Sequence, residues 1–226
     1  MSGRSTPRAA FAVAALAILI SGCSSSSGNS SGGETASAGV PAVEVCAGTL
    51  DASAVAALVR MSGTDRFDEL TGTNDAGEPN KFSLGRAVKH LHEKTSRRSA
   101  CTVYKAGDSS GKPLLEIDFS ASLSHPDDTT SGASNVIYPL GVYAATGVNG
   151  SQLFFRCKTE ANSADSYVGD SEYVKASMYS ASGKIRGDSG GRDRMTVLNS
   201  VARALAKEAG CAQEADLPEK LPAADD

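Results

Sequence analysis

The feature that most constrains this chain is a set of four cysteines, Cys46, Cys101, Cys157 and Cys211, separated by gaps of 55, 56 and 54 residues. Metal sites draw cysteine ligands from close pairs such as CxxC, and no such pair occurs here. Wide, even spacing suits disulfides instead, each closing a long loop and contributing about 3–5 kcal/mol in the chain-entropy picture. Four cysteines allow three pairings. Whether they oxidise at all depends on the compartment.

The N-terminus sets the compartment. Arg4 and Arg8 precede an apolar run from Ala9 to Ile20, 12 residues long, well short of the roughly 20 needed to span a bilayer. A basic start, a short apolar core and a small-residue exit read as a secretory signal. The exit, Ile20-Ser21-Gly22-Cys23, resembles a bacterial lipobox, in which the chain is cut before the Cys and the Cys carries lipid. The plainer alternative is an ordinary signal peptide with a chance Cys beside its cleavage site. Lipidation of Cys23 is the expectation, because a Ser/Gly-rich stretch that cannot build a core follows at residues 24–40. Such a tether reaches roughly 20–25 Å. The expected organisation is a signal peptide over 1–22, lipidated Cys and flexible tether over 23–43, one disulfide-stapled domain over 44–211, and a disordered acidic tail over 212–226. The protein is expected at the cell membrane, lipid-anchored on the extracytoplasmic face.

Charge and composition exclude several classes. The 226 residues hold 22 basic and 26 acidic side chains. Without residues 1–22 and their two arginines the balance is 20 against 26, or -6. An acidic chain without a basic stripe is a poor nucleic-acid binder and a poor ligand for anionic lipid. Aromatics are 5% with no Trp, which weakens a sugar-stacking module. About 170 ordered residues are few for a two-lobed receptor closing on its ligand. No cofactor and no metal are expected.

Within 44–211 three helices are legible. Asp51 or Ser53 can cap a first, carrying Val55, Leu58 and Val59 to about Met61, with Gly63 as its stop. A second begins at Ser83 with Leu84, Val88 and Leu91. A third carries the stripe Met195, Leu198, Val201, Ala202, Leu205 and Ala209, closed by Gly210. Between the second and third the period falls to two, over 101–105, 114–123, 152–158 and 172–180. The expected fold is α+β, a four-stranded antiparallel sheet with three helices packed on one face. Cys101 and Cys157 share the apolar parity of their strands, and Cys46 and Cys211 flank the domain. The favoured pairing is therefore 101–157 with 46–211, the other two pairings remaining open.

Some motifs tempt. Gly187-Asp188-Ser189-Gly190-Gly191 matches the nucleophile segment of trypsin-like proteases, which also needs a His base and a buried Asp on a double β-barrel. His90, His92 and His125 lie in no such setting, and a helix follows within a few residues. The segment reads better as a loop that caps this helix. Arg186-Gly187-Asp188 and the sequons at Asn29 and Asn149 read as chance. On a helix His90 and His92 point about 160° apart and cannot share one ion; His90 is expected in solvent and His92 at the border of the apolar face. The long link Ser124–Gly150 mixes polar residues with Val136, Ile137, Tyr138, Leu140, Val142 and Tyr143. Apolar groups in an excursion of this length form either a cover or a contact surface, so Tyr138, Leu140 and Tyr143 are the candidate interaction loop.

Val45-Cys46-Ala47-Gly48-Thr49-Leu50, Gly63-Thr64-Asp65-Arg66-Phe67, Leu153-Phe154-Phe155-Arg156-Cys157 and Glu208-Ala209-Gly210-Cys211 together resemble a group of uncharacterised secreted lipoproteins of Streptomyces and related actinobacteria. The resemblance implies a lipid-anchored surface protein and supplies no catalytic residue. The expected function is a non-enzymatic domain that binds a protein or small ligand at the cell surface. The alternative is a secreted hydrolase using Ser189.

Overall fold

Alternation of apolar and polar side chains along three long strands decides the architecture. The computed structural model describes residues 39–127, 135–181, 183–187 and 191–225, all within one compact unit. Its strands are β1 (Val40–Pro41), β2 (Arg66–Glu69), β3 (Cys101–Lys105), β4 (Leu115–Ser122), β5 (Val136–Ile137), β6 (Tyr143–Thr146), β7 (Gly150–Thr159) and β8 (Ser171–Tyr179). Its α-helices are α1 (Ala52–Ser62), α2 (Leu84–Lys89), α3 (Arg192–Glu208) and α4 (Ala212–Ala215). The strands form one antiparallel sheet in the order β1-β2-β3-β4-β8-β7-β6-β5.

This corrects the expected four-stranded sheet with three helices: the described residues hold eight strands and four α-helices. The four expected strands are the interior β3, β4, β7 and β8. The others run only two to four residues, too short to display a period of two. At the end of β4 the expected pattern overran. Leu123 lies outside the strand and is 68% exposed.

The core lies on one face of the sheet. Ile117, Phe119 and Ala121 of β4 stand opposite Met178, Ala176 and Val174 of β8, and the row continues through Leu153 and Phe155 of β7. Helix α3 covers this row with Met195, Leu198, Val201, Ala202 and Leu205, all buried. Each such Leu, Met or Phe gains roughly 1.5–3 kcal/mol on burial. Helix α1 packs against α3 and buries Ala54, Ala57, Leu58 and Met61. It starts where the Asp51 carboxylate accepts the Ala54 N–H at 3.0 Å and stops at Gly63, with φ of 71°. Ser200 joins the helices by accepting the Asp51 N–H at 2.9 Å and donating to the Thr49 carbonyl at 3.0 Å. Helix α3 starts at Gly191, in the left-handed region with φ of 69°. A Cβ there would lie 1.8 Å from Thr146 Cγ2, so conformation and space both require glycine.

The disulfides join Cys46 to Cys101 and Cys157 to Cys211, with Cα separations of 5.3 and 5.2 Å. The favoured 101–157 and 46–211 pairing is corrected by strand order. Cys101 lies on β3 and Cys157 on β7, with β4 and β8 between them. At about 4.8 Å per strand that is about 14 Å, twice the roughly 7 Å that a disulfide spans. Residues 212–226, expected to be a disordered tail, also need correction over their described part. Ala215 and Leu221 are buried, Asn199 Nδ2 donates to the Pro218 carbonyl at 2.8 Å, and the Asp225 N–H donates to the Ile137 carbonyl at 3.0 Å. The tail runs along α3 to the edge strand β5.

Non-reducing peptide mapping should recover Cys46–Cys101 and Cys157–Cys211 and no linkage to Cys23. Removing one bridge, as in a Cys157→Ser, Cys211→Ser double variant, should cost about 4 kcal/mol in a urea titration. A linked peptide joining Cys101 to Cys157 would refute the strand order.

Candidate functional site: the open face of the sheet

The period that buries one face of the strands turns the other outward. Across β4, β8 and β7 the outward rows are Glu116–Tyr179–Gly150, Asp118–Ser177–Gln152, Ser120–Lys175–Phe154 and Ser122–Tyr173–Arg156. At the first two rows the face sinks into a cleft of about 260 Å³, walled by Glu116, Asp118, Tyr143, Gln152, Ser177 and Tyr179. Gly150 lies opposite Tyr179, and a Cβ there would stand 2.9 Å from the Met178 carbonyl. The position is bare by steric requirement, and it helps form the floor. The larger depression beside Gly39, Val40 and Phe67 at the β1–β2 edge is more open to solvent.

The two ends of the face differ in charge. Asp118 is held by Arg98, whose Nη1 lies 3.0 Å from the carboxylate while its Nε donates to the Glu93 carbonyl at 2.9 Å. Glu116 stands in one row between Thr102 of β3 and Tyr179 of β8, with no cationic partner among the described residues. Glu116 is exposed overall, yet protein surrounds its carboxyl on one side. That burial pushes the carboxyl above its ordinary value of 4.5; the Asp118 charge adds to the shift and the Thr102 hydroxyl opposes it. At the far end cations already cover the rings. Lys175 Nζ lies 5.6 Å from the Phe154 centroid and the Arg156 guanidinium 6.0 Å from that of Tyr173. His125 meets Tyr173 edge-on with centroids 4.9 Å apart.

The residues singled out in the sequence fall elsewhere or play other parts. Cys23, the tether up to residue 38, and Asp188, Ser189 and Gly190 lie outside the described residues. Tyr138 and Leu140, expected in a contact loop, are each 3% exposed and belong to the main core. Tyr143 packs on Phe154 with ring centroids 5.9 Å apart. The apolar half of the 124–150 link thus folds into β5 and β6, and of the three only Tyr143 reaches the cleft. His90, expected in solvent, is buried, with Nε2 2.9 Å from Glu78 Oε2. His92 is also buried, and its Nδ1 lies 3.0 Å from the carbonyls of both Val168 and Gly169. Glu116, Gln152, Ser177 and Tyr179 were not singled out, though the polar phase of each strand placed them on one face.

A carboxyl pushed up beside an ionised carboxylate is the pairing that acid–base catalysis uses. Here the second carboxylate is engaged by Arg98, and both line an open wall that can receive a cationic group. No group of three metal-ligating side chains occurs among the described residues. The chain matches no protein-family model, and comparisons with curated proteins and with solved structures return no match.

Glu116 also gives a stability signature. Its folded pKa lies above the unfolded one, so ionisation works against the fold. The penalty is absent below the unfolded pKa and appears as pH rises through the folded one. Glu116→Gln should therefore unfold at an equal or higher temperature than the parent at pH 7, with the difference closing toward pH 4. A lower melting temperature for the variant at pH 7 would show that the ionised carboxylate stabilises the fold.

Proposed function

We propose that this chain is an extracytoplasmic lipoprotein, anchored to the cell membrane through lipid on Cys23, that works without enzymatic activity by binding a small ligand or a protein on the open face of its sheet. The observation that carries the binding reading is the cleft itself. It is built on the central strands β4, β8 and β7, and its wall includes a carboxyl that opposes folding when ionised. Groups that work against stability concentrate where a protein acts. The anchoring reading rests on the basic start, the short apolar run and the lipobox-like Ile20–Cys23. The four disulfide-bonded cysteines agree with an oxidising compartment. Among the described residues no helix is long and apolar enough to cross a membrane.

Cys23→Ala should move the protein from the membrane fraction to the soluble fraction, and the parent's N-terminal peptide should carry lipid mass. Unchanged retention with an unmodified peptide refutes the anchor. A serine-directed phosphonate should leave Ser189 unlabelled. Stoichiometric labelling that Ser189→Ala abolishes would make the protein a hydrolase.

A further inference from the structure

We propose that the cleft between Glu116 and Tyr179 takes small ligands through a protonated or quaternary amine. The inference rests on the open face being the binding surface and names what that surface recognises. Glu116 and Tyr179 are direct cross-strand partners, so their Cβ atoms stand about 5 Å apart. A single ammonium group can meet the carboxylate and the ring together.

The face itself supplies the comparison. At its far end Phe154 and Tyr173 each lie under a cation of the protein's own, Lys175 and Arg156. At the cleft end Tyr179 is 51% exposed, and no lysine or arginine among the described residues lies over its ring. The carboxylate beside it likewise has no cation among the described residues, whereas its neighbour Asp118 has Arg98. One ring and one carboxylate, adjacent and both unmatched, form the complement of an ammonium ion, and aromatic faces with nearby negative charge recognise such ions. Gln152 and Ser177, in the next row, offer neutral hydrogen-bonding groups to the remainder of the ligand. The cleft volume of about 260 Å³ sits at the small end of ligand pockets. An anion is disfavoured by both carboxylates.

The test uses the full chain in detergent micelles with ¹³C-labelled tyrosine rings. The six tyrosines make Tyr179 assignable through Tyr179→Phe, which keeps the aromatic face. Choline chloride and ethylammonium chloride should shift the Tyr179 ring saturably, with Kd on the order of 1 mM, while sodium chloride at equal ionic strength should not. Glu116→Gln should weaken this binding about tenfold or more. Tyr179→Leu should do the same, followed through the Tyr143 ring, and Tyr179→Phe should retain it. Unaltered affinity in Glu116→Gln, checked as folded by its melting temperature, overturns the proposal. So does a Tyr179 ring that ignores both amines. If acetate or glucose shifts that ring saturably instead, the amine class falls while the face stands as the binding surface. If none of the probes moves it, the proposal falls and the binding reading of the face loses its support.

Discussion

Burial of α3 against the centre of the sheet is the contact on which the rest of the molecule is arranged. Its apolar stripe lies on β6, β7 and β8, while α1, α2 and α4 each touch α3 as well. The first helix is thereby placed without covering the central strands, and the C-terminal segment finds a track along the same helix to β5. One helix serves as floor for the other three and as roof for the strands. Even its start is decided by this contact. Thr146 on β6 leaves no space for a side chain at residue 191, which gives the last glycine of the protease-like GDSGG segment a packing role.

Covering only one face has a second effect. An antiparallel sheet with one solvated face is a stable arrangement, and here the solvated face is uneven. At its far end the chain's own cations lie over the rings, while its near end keeps a carboxyl that its surroundings disfavour in the ionised form. The strands beneath are fixed chiefly by their buried side, so outward side chains other than Gly150 and the Tyr143–Ala145–Phe154 cluster can vary at less cost to the fold. That separation lets a rigid sheet carry a specific surface.

The interior of the fold was legible and its margins were not, for identifiable reasons. Strands β3, β4, β7 and β8 show alternation because one side meets the core and the other water. In β6 all four residues are buried, since Ala144 faces the main core while Tyr143 and Ala145 meet Phe154 in a second cluster. A strand covered on both sides has no alternation to display. The cysteine pairing failed on a different point: parity tells which side of the sheet a residue occupies and is silent on the order of strands, and the chain folds β8 in beside β4. The site was half legible. Polar positions on β4 and β8 were visible as a phase, but only the register that sets Glu116 opposite Tyr179 turns them into a constellation.

The position of the first disulfide shapes how the domain bears load. A pull arriving along the N-terminal segment meets β1, which is joined to β2 by two residue pairs at the edge of the sheet and can peel one pair at a time. Five residues after Pro41 the pull reaches Cys46 and passes through a covalent bond directly to β3. Everything between Cys46 and Cys101, a sequence separation of 55 residues, then sits in a closed loop outside the line of force. At about 3.4 Å per residue, roughly 190 Å of chain stays hidden from extension while the bond is intact. Reduction of that one bond releases this length, which gives the domain a short mechanical reach in an oxidising setting and a long one in a reducing one.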